Sequence, residues 1–172
     1  REVSLKRFKA HSLNSDIKVL DINNDLEMSG NIWKCGILWG NEDIHGLLMI
    51  KFTTINILAM ASSVFETAND SALLEHAKDF MKEFCNLYAG LIKGTFNNEN
   101  VDISISLPII AKSLSLEACL GGAQKKVNKD KWILYSGNSF VELESSILIS
   151  EKFNKKKILF LSKRKKDDDV PG

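Results

Sequence analysis

The middle of this chain is dominated by one long stretch of helical periodicity. From about Asn69 to Phe96, the residues Leu73, Ala77, Phe80, Phe84, Leu87 and Leu91 recur at alternating steps of four and three. Leu74, Met81 and Tyr88 widen that apolar stripe. Asn69, Asp70 and Ser71 are all good N-cap residues, and Gly94 with the cluster Asn97-Asn98-Glu99-Asn100 supplies the stop. A helix with one apolar face must bury that face against another layer, so the rest of the chain has to provide one.

The flanking sequence provides strands. Trp33, Cys35, Ile37 and Trp39 alternate on one face, and Asn31 to Trp39 and His45 to Phe52 are separated by Gly40-Asn41-Glu42-Asp43. That pattern predicts a hairpin. Ile17 to Ile22 is a shorter alternating run closed by Asn23-Asn24-Asp25. Thr53 or Thr54 caps a second, shorter helix running through Ile57, Met60, Ala61 and Phe65. Downstream, Asp102 to Ile110 reads as a strand interrupted or ended at Pro108, which cannot donate to a ladder. Trp132 to Tyr135, Phe140 to Ile149 and Lys157 to Leu161 read as further strands, with Gly121-Gly122 and Ser136 to Ser139 as turns. The first residues, Arg1 to about Asn14, are polar and basic with only Leu5 and Phe8 as anchors, so they read as an extension, with an ordered edge strand as one form of it. The order β-β-α-α-β-β-β predicts an α+β domain: two or more helices packed on one face of a mostly antiparallel sheet.

Composition narrows the function classes. At 172 residues and 44% hydrophobic, the chain has the size of one domain with a real core. Lys+Arg number 23 against 22 Asp+Glu, a formal charge of +1 that argues against a nucleic-acid binder. Lys155-Lys156-Lys157 and the Lys163 to Asp169 run read as solvated charge. No apolar run approaches the roughly 20 residues of a membrane helix, and no secretory leader opens the sequence, so a cytoplasmic protein is expected. The start at Arg1 is compatible with excision from a longer chain. Cys35, Cys85 and Cys119 form no C-x-x-C pair and read as small buried hydrophobes. His11, His45 and His76 have no metal-ligand spacing, so no metal site and no cofactor bound by this chain are expected. Phosphate-binding glycine loops and G-x-S-x-G are absent from the sequence.

The long helix carries the one unusual constellation. At about 100° per residue, Asp79, Glu83, Asn86 and Gly90 fall within roughly 60° of one another, away from the apolar stripe. Glu83 and Asn86 stand at i and i+3, so their side chains emerge side by side. Asn86 and Gly90 each cost about 0.7–1 kcal/mol of helix propensity relative to Ala. A well-formed helix that breaks its own local rule on one face marks that face for a binding or close-packing role. E-x-x-N occurs three times, at Glu66/Asn69, Glu83/Asn86 and Glu151/Asn154, but only the middle copy lies inside a strong amphipathic helix.

The segment Glu83-Phe84-Cys85-Asn86-Leu87-Tyr88-Ala89-Gly90-Leu91-Ile92-Lys93, followed by Ile103-Ser104-Ile105-Ser106-Leu107-Pro108, resembles the CheX branch of the CheC/CheX/FliY chemotaxis phosphatases. In that family a helix bearing E-x-x-N-x-x-x-G leads through a short loop into a strand ending in Leu-Pro. The resemblance spans roughly residues 28–150. It implies an N-terminal extension over 1–27, a phosphatase domain over 28–162 and a charged tail over 163–172. It also implies hydrolysis of the aspartyl phosphate of a CheY-type receiver, whose Mg²⁺ the receiver itself holds. Asn86 would position the attacking water and Glu83 would pair with the receiver's lysine. Asp79 and Gly90 are weaker candidates for partner contact. The shorter helix, Thr53 to Phe65, has no E-x-x-N inside it, which points to one active centre per chain, and the family implies a homodimer. The alternative function is a non-catalytic receiver-binding or flagellar-switch module on the same fold.

Overall fold

A computed structural model describes residues 1–22, 26–65, 72–114 and 128–150. The elements in chain order are α1 (Glu2–Ser12), β1 (Lys18–Asp21), β2 (Ile32–Gly40), β3 (Ile44–Thr53), α2 (Thr54–Met60), α3 (Ser62–Phe65), α4 (Leu73–Asn98), β4 (Ser104–Ile105), β5 (Ile109–Ala111), β6 (Asn128–Ser136) and β7 (Ser139–Ile149). The strands form one antiparallel sheet in the order β1-β6-β7-β3-β2-β4, with β5 also on β2. The α+β architecture is the one the element order predicts.

Two hairpins build most of the sheet. β2 and β3 pair from Ile32↔Thr53 to Gly40↔His45. β6 and β7 pair down to Ser136↔Ser139, where Gly137 adopts φ 56. Positive φ at the first of two central turn residues is the demand that a type II′ hairpin places on glycine. β3 then pairs with β7, so the two hairpins join edge to edge.

The period-two face of β2 turns toward the helices as expected. Cys35 and Ile37 are fully buried in the main core with Ile50, Leu48, Leu143, Trp132 and Leu134. The Trp39 ring lies 5.3 Å from that of Phe96 of α4, tilted by 41°, in a second cluster with Ile44, Val101 and Ile103. Trp39 also lies over Gly46 of the neighbouring strand, where a Cβ would stand 2.0 Å from the ring. Only glycine leaves room for that indole.

Three expectations are corrected. Residues 2–12 form a helix, not an extension or an edge strand. The buried stripe of α1 is Ser4, Phe8 and Ser12 at i, i+4 and i+8, two of the three being serines, so hydrophobic periodicity conceals it. The Ser4 hydroxyl accepts from the Trp132 indole N–H at 2.9 Å, and Phe8 packs edge-on against Phe80 and Phe84. The helix after Thr53 is split: Thr53 Oγ1 does cap it by accepting from Asn56 N–H, but α2 ends at Met60 and α3 follows Ala61. The strand over Asp102 to Ile110 is interrupted around Pro108, as expected, leaving the short pieces β4 and β5. Gly94 does not stop the long helix, which continues to Asn98 before Asn100 takes a left-handed φ of 56. Asn69 to Ser71, Cys119, Gly121-Gly122, Lys157 to Leu161 and both charge runs lie outside the described residues.

Candidate active site

α4 lies across β2, and its packing decides which of its faces remains open. Ala77, Phe80, Met81, Phe84, Cys85, Tyr88, Ala89 and Phe96 are buried, whereas Leu73, Leu87 and Leu91 are only half-buried. The core stripe is therefore centred on Met81, Phe84 and Tyr88, rotated from the leucine line that the sequence favours. Small side chains at Ala77, Cys85 and Ala89 let the helix backbone approach the sheet closely. Its N-terminal half is also held from the side, where Lys78 Nζ sits 4.1 Å from the centre of the Trp33 ring.

That rotation puts Asp79, Glu83, Asn86 and Gly90 on the side of α4 directly away from the sheet, and all four are exposed. Their environments differ. Lys82 Nζ donates to Asp79 Oδ1 at 2.9 Å, and this hydrogen bond pushes the Lys82 ammonium pKa upward. Glu83 and Asn86 make no side-chain hydrogen bond or ion pair among the described residues, so both heads are available to a second molecule. Gly90 is exposed, and a Cβ built there would meet nothing within 4 Å. No neighbouring element among the described residues accounts for a glycine at that position.

Beneath this face the structure brings together two residues whose meeting the sequence spacing does not indicate. Cys35 Sγ of β2 lies 3.3 Å from Cys85 Sγ of α4, and both thiols are free and fully buried. The legible signal was their separate placement, Cys35 on the inward face of β2 and Cys85 beside Phe84. Contact with the Cys35 sulfur, together with burial, pushes the Cys85 thiol pKa well up. Among the described residues no three His, Cys, Asp or Glu side chains gather as metal ligands, and no helix is long and apolar enough to cross a membrane.

Fold and site together define an α+β protein that offers an amide and a carboxylate on the outer face of a rigid helix. Comparison with known proteins gives that class a family. The family model described as chemotaxis phosphatase CheX matches residues 35–128, more than half of the chain, and the chain belongs to that family. Solved structures share the fold at low identity. CheX from Vibrio vulnificus has TM-score 0.60 and 14% identity, covering 86% of this chain and 95% of that one. The CheX-CheY-BeF3-Mg²⁺ complex from Borrelia burgdorferi gives TM-score 0.60 and 15% identity, covering 87% and 94%. A CheC-like superfamily protein from a Shewanella species gives TM-score 0.59 and 14% identity, covering 86% and 93%. No curated protein matches the chain.

Proposed function

We propose that this protein dephosphorylates the aspartyl phosphate of a CheY-type receiver, with Glu83 and Asn86 as its active pair. The observation that carries the reading is the exposure of these two residues, side by side and unengaged, on one helix of a CheX-family chain. A solved CheX in complex with CheY supports the choice of partner class.

The chemistry asks little of the phosphatase. An aspartyl phosphate is already activated by its acyl linkage, and a Mg²⁺ held by the receiver would neutralise charge on the phosphoryl oxygens. What remains is to place a water in line with the breaking bond. The Asn86 carboxamide can accept from that water and donate to it, whereas a carboxylate there would repel the phosphoryl group. The water oxygen forms the new P–O bond, the bond to the receiver's carboxylate breaks, and the water's protons pass to phosphate and solvent. Glu83, one helical turn earlier, would pair with the receiver's active-site lysine and fix the register of docking. Asp79 would contribute at the rim, since its pair with exposed Lys82 is cheap to exchange. Gly90 would admit the receiver's backbone. A homodimer formed through sheet edges completes the proposal, and the mass in solution by light scattering tests it.

The deciding experiment measures loss of phosphate from a phosphorylated receiver. Wild type should accelerate it, and Asn86→Ala and Glu83→Ala should not. A wild type that binds the receiver without accelerating decay would assign the same surface to a non-catalytic docking module instead.

A further inference from the structure

The helix turn that carries Glu83 and Asn86 also carries Cys85 on its inner side, in sulfur contact with Cys35 of β2. We infer that Cys35 and Cys85 constitute a reversible oxidation site, whose disulfide fixes this turn of α4 against the sheet and so controls the face that Glu83 and Asn86 present. The consequence for activity rests on the phosphatase reading above; the crosslink itself does not.

The geometry is that of a poised pair. The sulfurs are 3.3 Å apart, on elements separated by 50 positions, with Cys35 Sγ also 3.8 Å from the Met81 carbonyl. A disulfide brings sulfurs to about 2.05 Å, so closure requires about 1 Å of approach shared between side-chain rotation and movement of α4. Cys85 immediately precedes Asn86, so that movement is passed to the next residue without an intervening joint. Displacement of a water-positioning group by about 1 Å is enough to cost on the order of a hundredfold in rate.

The route for an oxidant runs past a weak edge. Cys35 is opposite Ile110 of β5, a three-residue strand next to Pro108 that, among the described residues, pairs with β2 alone. A short edge strand opens at low cost, uncovering Cys35 first. Its thiolate attacks a small hydroperoxide, breaking the O–O bond to give a sulfenic acid and, with hydrogen peroxide, hydroxide that takes up a proton as water. The Cys85 sulfur then attacks the sulfenic sulfur as it gives up its proton; the S–S bond forms as the S–O bond breaks, and that proton leaves with the departing hydroxide as a second water. In total two thiols are oxidised and one peroxide is reduced to two waters. An added dithiol reverses the bond by exchange.

The test uses the full chain and hydrogen peroxide, followed by peptide mapping, amide hydrogen exchange across residues 83–90 and, separately, the receiver assay. The expected result is a Cys35–Cys85 crosslink with the mass of two hydrogens lost and altered exchange over 83–90. Phosphatase rate should fall at least about tenfold and return with dithiothreitol. Cys35→Ala should keep its rate under peroxide; if that variant does not fold, the wild-type map and exchange still decide the outcome. Thiols that stay reduced while the fold persists, a crosslink made only through Cys119, or a crosslinked protein with unchanged exchange and rate would each overturn the proposal. Absence of phosphatase activity in the reduced protein would instead strike the functional reading, leaving the mapped crosslink to be judged by exchange.

Discussion

Cys85 and Asn86 are consecutive on α4, yet the first is fully buried against Cys35 while the second is exposed with no partner among the described residues. One rotation of about 100° separates a residue that holds the fold from one available for chemistry. Mutations at the two faces should therefore separate cleanly. Asn86→Ala and Glu83→Ala should leave the denaturation midpoint within about 0.5 kcal/mol of wild type, because both side chains are exposed. Both should lower receiver dephosphorylation by on the order of a hundredfold or more. Phe84→Ala, between them in sequence and buried at 0% exposure, should cost about 3–5 kcal/mol of stability. A loss of stability at Asn86 equal to that at Phe84 would refute the assignment.

Gly90 offers a test in which stability and function move in opposite directions. A Cβ there meets nothing within 4 Å, so Gly90→Ala should raise stability by about 1 kcal/mol through helix propensity alone. If a receiver backbone packs against this position, the same methyl should weaken receiver binding measured by titration calorimetry. Gly94→Ala, equally open in this chain, is the matched control for the stabilising effect.

Gly46 predicts the reverse. Its Cβ would stand 2.0 Å from the Trp39 ring, and Trp39 is wedged in turn against Phe96. Gly46→Ala should destabilise by about 1–3 kcal/mol, the usual cost of overpacking, and should shift Trp39 fluorescence as the ring is displaced. Unchanged thermal unfolding in this variant would show that the indole has room to move.

The N-terminal helix marks the limit of what the sequence reveals, and it carries its own test. α4 was legible because its apolar residues repeat for many turns, and β2 because Trp33, Cys35, Ile37 and Trp39 alternate without a break. α1 was not, because two of its three buried positions are serines, Ser4 accepting from the distant Trp132 indole and Ser12 donating to the Lys9 carbonyl one turn back. Asn86 and Gly90 stood out as a local conflict with helix propensity, whereas the choice of Glu83 as partner to Asn86 rested on their i, i+3 spacing and on the family resemblance. The Cys35–Cys85 contact was not, since it depends on where α4 crosses β2, which periodicity leaves open. Ser4→Ala should leave the buried Trp132 indole N–H without its acceptor and cost about 1–3 kcal/mol in denaturant unfolding. A neutral result would mean that water reaches the indole.

Tyr88 gives the protein an alkaline limit of defined sign. Burial, aided by the charge of Asp130, pushes its phenol from the ordinary 10.0 up to about 12. Above pH 10 the unfolded chain therefore releases this proton while the folded chain keeps it, so the folded state binds more protons and stability falls as pH rises. The loss begins near the unfolded value and is complete near the folded one, a window of about pH 10 to 12. Tyr88→Phe should flatten the decline of the denaturant midpoint across this window while leaving the midpoint at neutral pH within about 1.5 kcal/mol of wild type, because the ring that packs against Phe84 at 6.4 Å is retained. Ultraviolet difference titration of the folded protein should show one tyrosinate step lost in the variant at the alkaline end. A decline of equal steepness in Tyr88→Phe would place the titrating group elsewhere.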